Sequence, residues 1–279
     1  MINNVQSLKD KAKNFANENN LNVQVILQNF MFEKFLERLS KSEYKEKFII
    51  KGGFLLSSIM GIKMRSTMDI DANITGMEFN EKEIRKMITE IALMNLNDNV
   101  TFVVDKEDVI REDNEYGGFS FKIIGQFSNI IVPFYIDIST GDIITPRAIE
   151  YKYRTLLENE SIELYTYNYE TIIAEKLQTI FKRGVSNSRM KDYYDIYYFA
   201  KYKWNDINIE TLRIAIYKTF KQRESMKELE DFDNIIKDIE ENSVLKTRWK
   251  NYQDRFMYAK DISFDTVIET IKKYKSIII

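Results

Sequence analysis

The sequence predicts a mixed α/β fold in which a region containing a sheet is flanked by helices. All nine glycines and both prolines lie between Gly52 and Gly184, so residues 1–51 and 185–279 contain neither type. Long stretches without these two helix breakers favour helix. Between them, several short segments alternate apolar and polar residues or are rich in Val, Ile and Phe, which predicts strands. We therefore expect a mixed sheet with helices, followed by a mainly helical C-terminal lobe.

The first elements are predicted in the order helix, strand, helix, strand, helix. Apolar residues at helical spacing mark a helix within residues 22–39. "FIIKGG" is predicted as a strand that runs into a glycine turn, "FLLSSIM" as a helix and "MDIDANI" as a strand of period two. Asn80 and Glu83 form a candidate capping box for the helix that follows.

Three further strands and a helical region complete the prediction. The strands are "VTFVV", "FSFKII" and "IIVPFYIDI". Pro133 cannot donate a ladder hydrogen bond, so the last of these strands should have an edge or a bulge at that residue. From about Tyr169 onward we expect helices. The predicted domains are residues 1–160, which contain the sheet, and residues 161–279, which form the helical lobe.

The composition excludes several kinds of active site. The 279-residue chain contains neither Cys nor His, which excludes a thiol nucleophile, a Ser-His-Asp triad and a Cys/His zinc site. Catalysis would need carboxylates, Lys, Arg, Tyr, Ser or Thr, or a hard metal bound by oxygen. The net charge of −2 gives no global nucleic-acid signature, so such a partner would bind a local basic patch.

The sequence gives no sign of membrane insertion or export. No apolar run approaches the roughly 18–20 residues of a spanning helix. The N-terminal segment "MINNVQSLKDKAK" has no apolar stretch of the kind found in a signal peptide. We therefore expect a cytoplasmic protein without membrane contact.

The segment "MRSTMDIDAN" contains the main candidate for chemistry. On a strand, Asp69 and Asp71 share one face with their Cα atoms roughly 6.5–7 Å apart. This spacing would let two carboxylates bind one or two divalent cations. An exposed edge strand with solvated charges is the alternative. A third acid, Asp137, stands in the apolar segment "VPFYIDIS", where a carboxylate is costly unless it is paired or metal-bound; a strand-end cap is the other interpretation.

Gly52 and Gly53 offer a possible anion contact, because backbone N–H groups between a strand and a helix can meet a phosphate. A glycine pair also marks an ordinary turn.

The segments "YETIIAEKLQTIFKRG" and "SRMKDYYDIYYF" are predicted as two amphipathic helices. Lys176 and Arg183 lie on one edge of the apolar stripe of the first helix. Asp192 and Asp195 share a face of the second. An ordinary helical hairpin with a Lys–Asp salt bridge explains this pattern as well. We expect the aromatic residues here to be core rather than base-stacking surfaces: Phe181, Tyr193, Tyr194, Tyr197, Tyr198 and Phe199.

These segments together resemble the nucleotidyltransferase superfamily, in which a glycine pair opens a helix, D-x-D lies on a strand and a third acid lies on a neighbouring strand. The closer resemblance is to the AbiEii/AbiGii toxin group of bacterial type IV toxin–antitoxin systems in phage defence. It rests on "IIKGGFLL", "RSTMDID", "DISTGDIITP", "AEKLQTIFKRG" and "RMKDYYDIYYF". These segments span about residues 49–199.

The resemblance implies a bi-lobed, nucleotidyltransferase-like fold with a cleft, and transfer of a nucleoside monophosphate from an NTP to a hydroxyl group with Mg²⁺ or Mn²⁺. Asp69 and Asp71 would ligate the metal, and Asp137 would complete the site, with Asp142 as the alternative third acid. Lys176 would meet the triphosphate as a point charge, and Asp192 or Asp195 would be the motif aspartate. The remaining nucleotide-binding residues would be Lys51, Gly52, Gly53, Ser66, Thr67 and Arg183.

The resemblance also implies partners. The acceptor in close relatives is the 3′ end of tRNA. Members of the group use GTP or pyrimidine nucleotides, so GTP is one candidate NTP. We expect a monomer and an antitoxin encoded alongside that does not bind it stably.

Two alternatives come from other functional classes. A metal-dependent nuclease would require an acid followed by E-x-K on a strand, and the helical segment "AEKLQTIF" does not provide this pattern. A non-enzymatic nucleotide-binding module would leave the three acids scattered on the surface.

Overall fold

The computed structural model describes residues 2–65, 67, 69–110 and 117–278, except for the side chains of 106–110. The chain divides into two compact units. Unit 1 is Met1–Gly141 with Ile149–Thr166, and unit 2 is Asp142–Ala148 with Tyr167–Ile279.

Unit 1 is built on a seven-stranded mixed sheet with the strand order β3-β4-β5-β2-β1-β7-β6. β2 pairs with β5, and β1 with β7, in parallel, whereas the other neighbours are antiparallel. This arrangement confirms the predicted mixed α/β class. The elements are α1 Val5–Asn19, α2 Val23–Lys41, β1 Phe48–Lys51, α3 Gly52–Met60, β2 Asp69–Ile74, α4 Glu81–Leu93, β3 Val100–Ile110, β4 Gly118–Phe127, β5 Ile130–Ser139, β6 Ile149–Arg154 and β7 Ser161–Thr166.

The two faces of this sheet are used differently. Along β5, every second residue from Ile130 to Ile138 is buried, and the residues between them are exposed or half-buried. Phe32 and Phe35 of α2 pack edge-on against the buried Phe134, so α2 covers that face. Because side chains alternate along a strand, Asp137 belongs to the opposite face.

Pro133 lies at a local edge of β5, as predicted. Its register partner is Ile124 of β4. On the other side, the pairs between β2 and β5 begin only at Asp69 and Tyr135. Pro133, which has no N–H to donate, therefore lies in the part of β5 that extends beyond the first residue of β2, Asp69.

In unit 2, the described residues from Tyr169 onward are mainly helical, as expected, whereas residues 142–148 form neither helix nor strand. Of the six aromatic residues expected in the core, five are buried and Tyr198 is half-buried. The α-helices are α5 Tyr169–Arg183, α6 Met190–Tyr202, α7 Ile209–Gln222, α8 Met226–Glu230, α9 Phe232–Glu241, α10 Ser243–Arg255, α11 Phe264–Lys273 and α12 Lys275–Ile278. In the part of the chain that the structure describes, no helix is long and apolar enough to cross a membrane.

Glu33 is an ionisable group inside unit 1. Its Oε1 accepts hydrogen bonds from the hydroxyl of Tyr153 and the N–H of Leu156, each at 2.8 Å. Its Oε2 is buried without a hydrogen-bond partner among the described residues. Burial raises the pKa of Glu33 from 4.5 to about 7, although both hydrogen bonds act to lower it.

We predict that this carboxyl makes the fold less stable as the pH rises. The folded-state pKa lies above the unfolded value, so the stabilisation is fully present below about pH 4.5 and is lost as the pH rises through 7. Between pH 5 and pH 8 the free energy of unfolding of the wild type should fall by on the order of 3 kcal/mol more than that of Glu33→Gln. Urea unfolding of both proteins at the two pH values measures this difference. Equal pH dependence would contradict it.

Candidate active site

A row of four polar side chains crosses four adjacent strands of unit 1. The register pairs Lys51 of β1 with Asp71 of β2, Asp71 with Asp137 of β5, and Asp137 with Ser120 of β4. We call these four residues the polar row. Neighbouring strands lie about 4.8 Å apart, so the carboxylates of Asp71 and Asp137 belong to directly adjacent positions. Asp69 lies on the same face, two residues before Asp71.

The glycine pair allows the start of α3 to approach this row. Gly52 has φ +59°, and a Cβ there would lie 2.0 Å from Oδ2 of Asp71. A Cβ on Gly53 would lie 2.6 Å from Oγ1 of Thr67. The N–H of Gly53 donates to Oδ2 of Asp71 at 2.9 Å. The glycines are thus required for close approach, and the first turn of the helix already binds an anionic oxygen.

Hydroxyl and ammonium groups also lie beside the acids. Thr67 donates its hydroxyl to the carboxylate of Asp69. Nζ of Lys51 donates to Oγ of Ser139 at 2.8 Å. The predicted Ser66 lies outside the described residues. Thr67 and Lys51 therefore both lie beside the acids, where a phosphate contact was predicted.

Asp137 is half-buried within β5 and is held by Oγ of Ser120, which donates at 2.6 Å. Burial raises the pKa of Asp137, and the charges of Asp71 and Asp69 raise it further, while the bond from Ser120 acts in the opposite direction. The three carboxylates thus experience mutual repulsion. A cation placed among them would relieve it.

The donor set suits a hard divalent cation, because it consists of carboxylate and hydroxyl oxygens. Asn73 of β2, on the same face as Asp71, is buried, and neither its side-chain oxygen nor its nitrogen has a partner within the described ranges. Such an unsatisfied amide is unusual in a native structure, and its oxygen offers a further donor to a cation at this site. Among the described residues, no group of three carboxylates already has metal-binding geometry. The bonds to Thr67 and Gly53 hold Asp69 and Asp71 in their present positions.

Asp142, the alternative third acid, belongs to a different cluster in unit 2. It accepts from Arg223 at 2.8 Å and from the hydroxyl of Tyr167 at 3.3 Å. The same guanidinium is 2.8 Å from Glu175. The charge of Asp142 is therefore compensated locally, whereas Asp137 is the acid in register with Asp71.

Lys176 of α5 forms ion pairs with both candidate aspartates of α6. Its Nζ bonds Oδ1 of Asp192 and lies 3.1 Å from Oδ2 of Asp195. Arg189 also bonds Asp192, at 2.8 Å. Burial disfavours the charge on Asp192, but Lys176 and Arg189 outweigh this effect and lower its pKa to about 2.

The exposure of this cluster favours a structural ion pair. The side chains of Asp192 and Asp195 are 1% and 0% exposed, and that of Lys176 is 12% exposed. This is the Lys–Asp salt bridge that the sequence left open. Arg183 is exposed in the last turn of α5.

Ser120, Ser139 and Asn73 were not predicted as site residues. Each is a small polar residue at an alternate position of an apolar strand, which shows only that it faces away from the core. Their place beside the acids depends on which strands pair and in which register. The pairing and register of strands far apart in the chain cannot be derived from a single sequence.

Comparison with known proteins identifies the family of this chain. The family model described as "Nucleotidyl transferase AbiEii toxin, Type IV TA system" matches residues 34–270. This match includes the polar row and the Lys176 cluster. No curated protein matches the chain.

Two solved structures from Helicobacter pylori are similar to this chain. The crystal structure of JHP933 has a TM-score of 0.50 at 14% identity, covering 91% of this chain and 90% of that chain. At this identity the similarity concerns the fold. A second protein, provisionally assigned as a nucleotidyltransferase, has a TM-score of 0.47 at 13% identity and covers 92% and 94% of the two chains. Because the family model spans most of the sequence, the chain belongs to the AbiEii family of nucleotidyl transferase toxins of type IV toxin–antitoxin systems.

Proposed function

We propose that this protein transfers a nucleoside monophosphate from an NTP to a hydroxyl group at the 3′ end of tRNA, with Mg²⁺ or Mn²⁺. The observation that carries the proposal is the register that pairs Asp71 with Asp137 while Asp69 shares their face. Family membership supports a nucleotidyltransferase toxin. The resemblance of the motifs to the toxin family is the basis for the proposed acceptor and metal. It also makes GTP one candidate substrate.

The three acids share one proposed role, and Asp137 has a second. Asp69, Asp71 and Asp137 would hold the divalent cation. When bound, the cation stabilises the negative charge that develops at the α-phosphate. Asp137 would also accept the proton of the acceptor hydroxyl, which a carboxylate beside the reacting groups can do as a general base.

The start of α3 would bind the phosphates. The N–H of Gly53, which donates to a carboxylate in this structure, is the type of donor that helix N-termini offer to phosphate. Lys51 and Thr67 lie beside it and would add a positive charge and a hydroxyl group. In the cell, we propose a cytoplasmic monomer whose partner antitoxin acts without stable contact.

For unit 2, we propose that Lys176 positions α5 against α6 through Asp192 and Asp195. The cluster of Lys176, Arg189 and the two aspartates is electrically neutral overall. A direct contact of Lys176 with a triphosphate, which the resemblance implies, would compete with the two buried carboxylates that its ammonium contacts in this structure. Removing one partner of a buried ion pair is strongly destabilising.

Asp69→Asn and Asp71→Asn should each lower transfer at least about a hundredfold, because the amide removes the charge that the cation needs. Asn at position 71 can still accept the N–H of Gly53, so the melting temperature should change by less than about 4 °C. The measurement is transfer of label from each α-labelled NTP to a tRNA pool. Asp254→Asn, whose parent side chain is 62% exposed, is the matched control. Full activity in Asp71→Asn would contradict the metal site.

Lys176→Ala should lower the free energy of unfolding by about 3 kcal/mol, because it leaves Asp192 and Asp195 without their shared cation. Assayed well below its melting temperature, it should keep kcat/KM for the NTP within about threefold of the wild type.

Lys250→Ala, whose parent side chain is 67% exposed, controls for loss of a surface charge and should match the wild type in both measurements. The opposite pattern for Lys176→Ala is unchanged stability with a loss of tenfold or more in kcat/KM. It would mean that Lys176 contacts the triphosphate directly.

A further inference from the structure

The sheet face that carries the polar row continues as an exposed strip along β5, β4 and β3. Two residues before Asp137, Tyr135 is in register with Asp69 on one side and with Lys122 on the other. Farther along the same face, Pro133 is paired with Ile124, which is paired with Val103. The strip ends at Ile131.

Three large apolar side chains of this strip are exposed. Tyr135 is 45% exposed, Val103 59% and Ile131 62%. Two-residue steps along a strand measure about 6.8 Å, so the strip extends roughly 20 Å from Asp137 to Ile131. Exposed apolar side chains grouped on one sheet face are candidates for an interaction site.

A cation lies beside the aromatic ring of the strip. Nζ of Lys122 is 2.8 Å from Asp105, and the two side chains are 30% and 35% exposed. An ion pair this open contributes little to stability. The ammonium of Lys122 can therefore exchange Asp105 for a phosphate at small cost.

We propose that Tyr135, Lys122, Val103, Ile124 and Ile131 form a platform that docks the unpaired nucleotides of the RNA acceptor. A base would stack on Tyr135 and a phosphate would meet Lys122. This inference rests on the proposed function, because the platform begins one step from the acids that would activate the acceptor hydroxyl.

The chemistry of the platform favours unpaired nucleotides over a protein partner. Stacking on a sheet-borne aromatic ring, combined with a nearby cation, is how sheet surfaces bind single-stranded bases. Lys122 is the register partner of Tyr135, so the aromatic ring and the ammonium lie on adjacent strands, as a stacked base and its phosphate require.

Fluorescence anisotropy with a labelled RNA hairpin that has four unpaired 3′ nucleotides tests the platform. The comparison probe is the same hairpin with a blunt end, and both are measured in EDTA without NTP. The wild type should prefer the tailed hairpin. Tyr135→Ala should weaken its binding at least about fivefold and leave the blunt hairpin unaffected, whereas Tyr135→Phe, which keeps the ring, should stay within about twofold.

The control is Tyr217→Ala on α7, because Tyr217 is 51% exposed and also lies beside a lysine, Lys221. It should bind the tailed hairpin as the wild type does. For Lys122→Gln, the slope of the logarithm of the binding constant against the logarithm of the salt concentration should be about 0.7 less steep than for the wild type. This difference corresponds to the loss of one phosphate contact. No preference of the wild type for the tailed hairpin, or equal losses in Tyr135→Ala and Tyr217→Ala, would overturn the proposal.

The assay separates this proposal from the proposed function. Asp71→Asn should bind the tailed hairpin at least as tightly as the wild type, because the assay needs neither metal nor NTP. If Asp71→Asn loses transfer while Tyr135→Ala binds normally, the platform is wrong and the enzyme assignment stands. If Asp71→Asn transfers normally while Tyr135→Ala binds weakly, the enzyme assignment fails and the platform stands as a nucleic-acid surface.

Discussion

The side-by-side placement of Asp71 and Asp137 is the constraint around which the candidate site is arranged. Parallel pairing of β2 with β5 brings the two acids into register, and burial together with mutual repulsion raises the pKa of Asp137. Hydrogen bonds from Gly53 and Ser120 offset part of that cost. The close approach of Asp71 in turn excludes a side chain at Gly52. Carboxylates placed this close together repel one another and lower the stability of the fold. Such repulsion is common in sites that bind a cation.

The sheet separates stability from chemistry by its two faces. One face is filled by apolar residues of β5 and by the aromatic side chains of α2, so it holds unit 1 together. The other face carries the polar row and then the exposed strip that begins at Tyr135. Because the strand period is two, each residue of β5 contributes to only one of these tasks. Substitutions on the site face can therefore change binding with little effect on folding.

Local sequence features predict part of this site. The period of two places Asp69 and Asp71 on one face, and Pro133 predicts a local edge in β5. The register of strands far apart in sequence cannot be derived locally, which is why Ser120 and Tyr135 were not predicted as site residues. Asp142 illustrates the same limit. It follows Asp137 by only five residues, yet the chain leaves the sheet after Ser139 and Asp142 pairs with Arg223 in unit 2.

The Lys176 cluster shows a second limit. Helical spacing places Lys176 on an edge of α5 and puts Asp192 and Asp195 on one face of α6. Whether that ammonium meets carboxylates or phosphates depends on how α5 packs against α6. In this structure it meets both aspartates, which the sequence left open.

Direct titration of Mn²⁺, followed by the loss of its free electron paramagnetic resonance signal, is the most direct test of the acid site. The proteins to compare are the wild type, Asp71→Asn, Asp137→Asn and the surface variant Asp254→Asn. If Asp71 and Asp137 hold the cation together, each of their variants should bind Mn²⁺ at least about tenfold more weakly. The wild type and Asp254→Asn should bind it equally well. Equal Mn²⁺ affinity in all four proteins would contradict a metal site at the polar row.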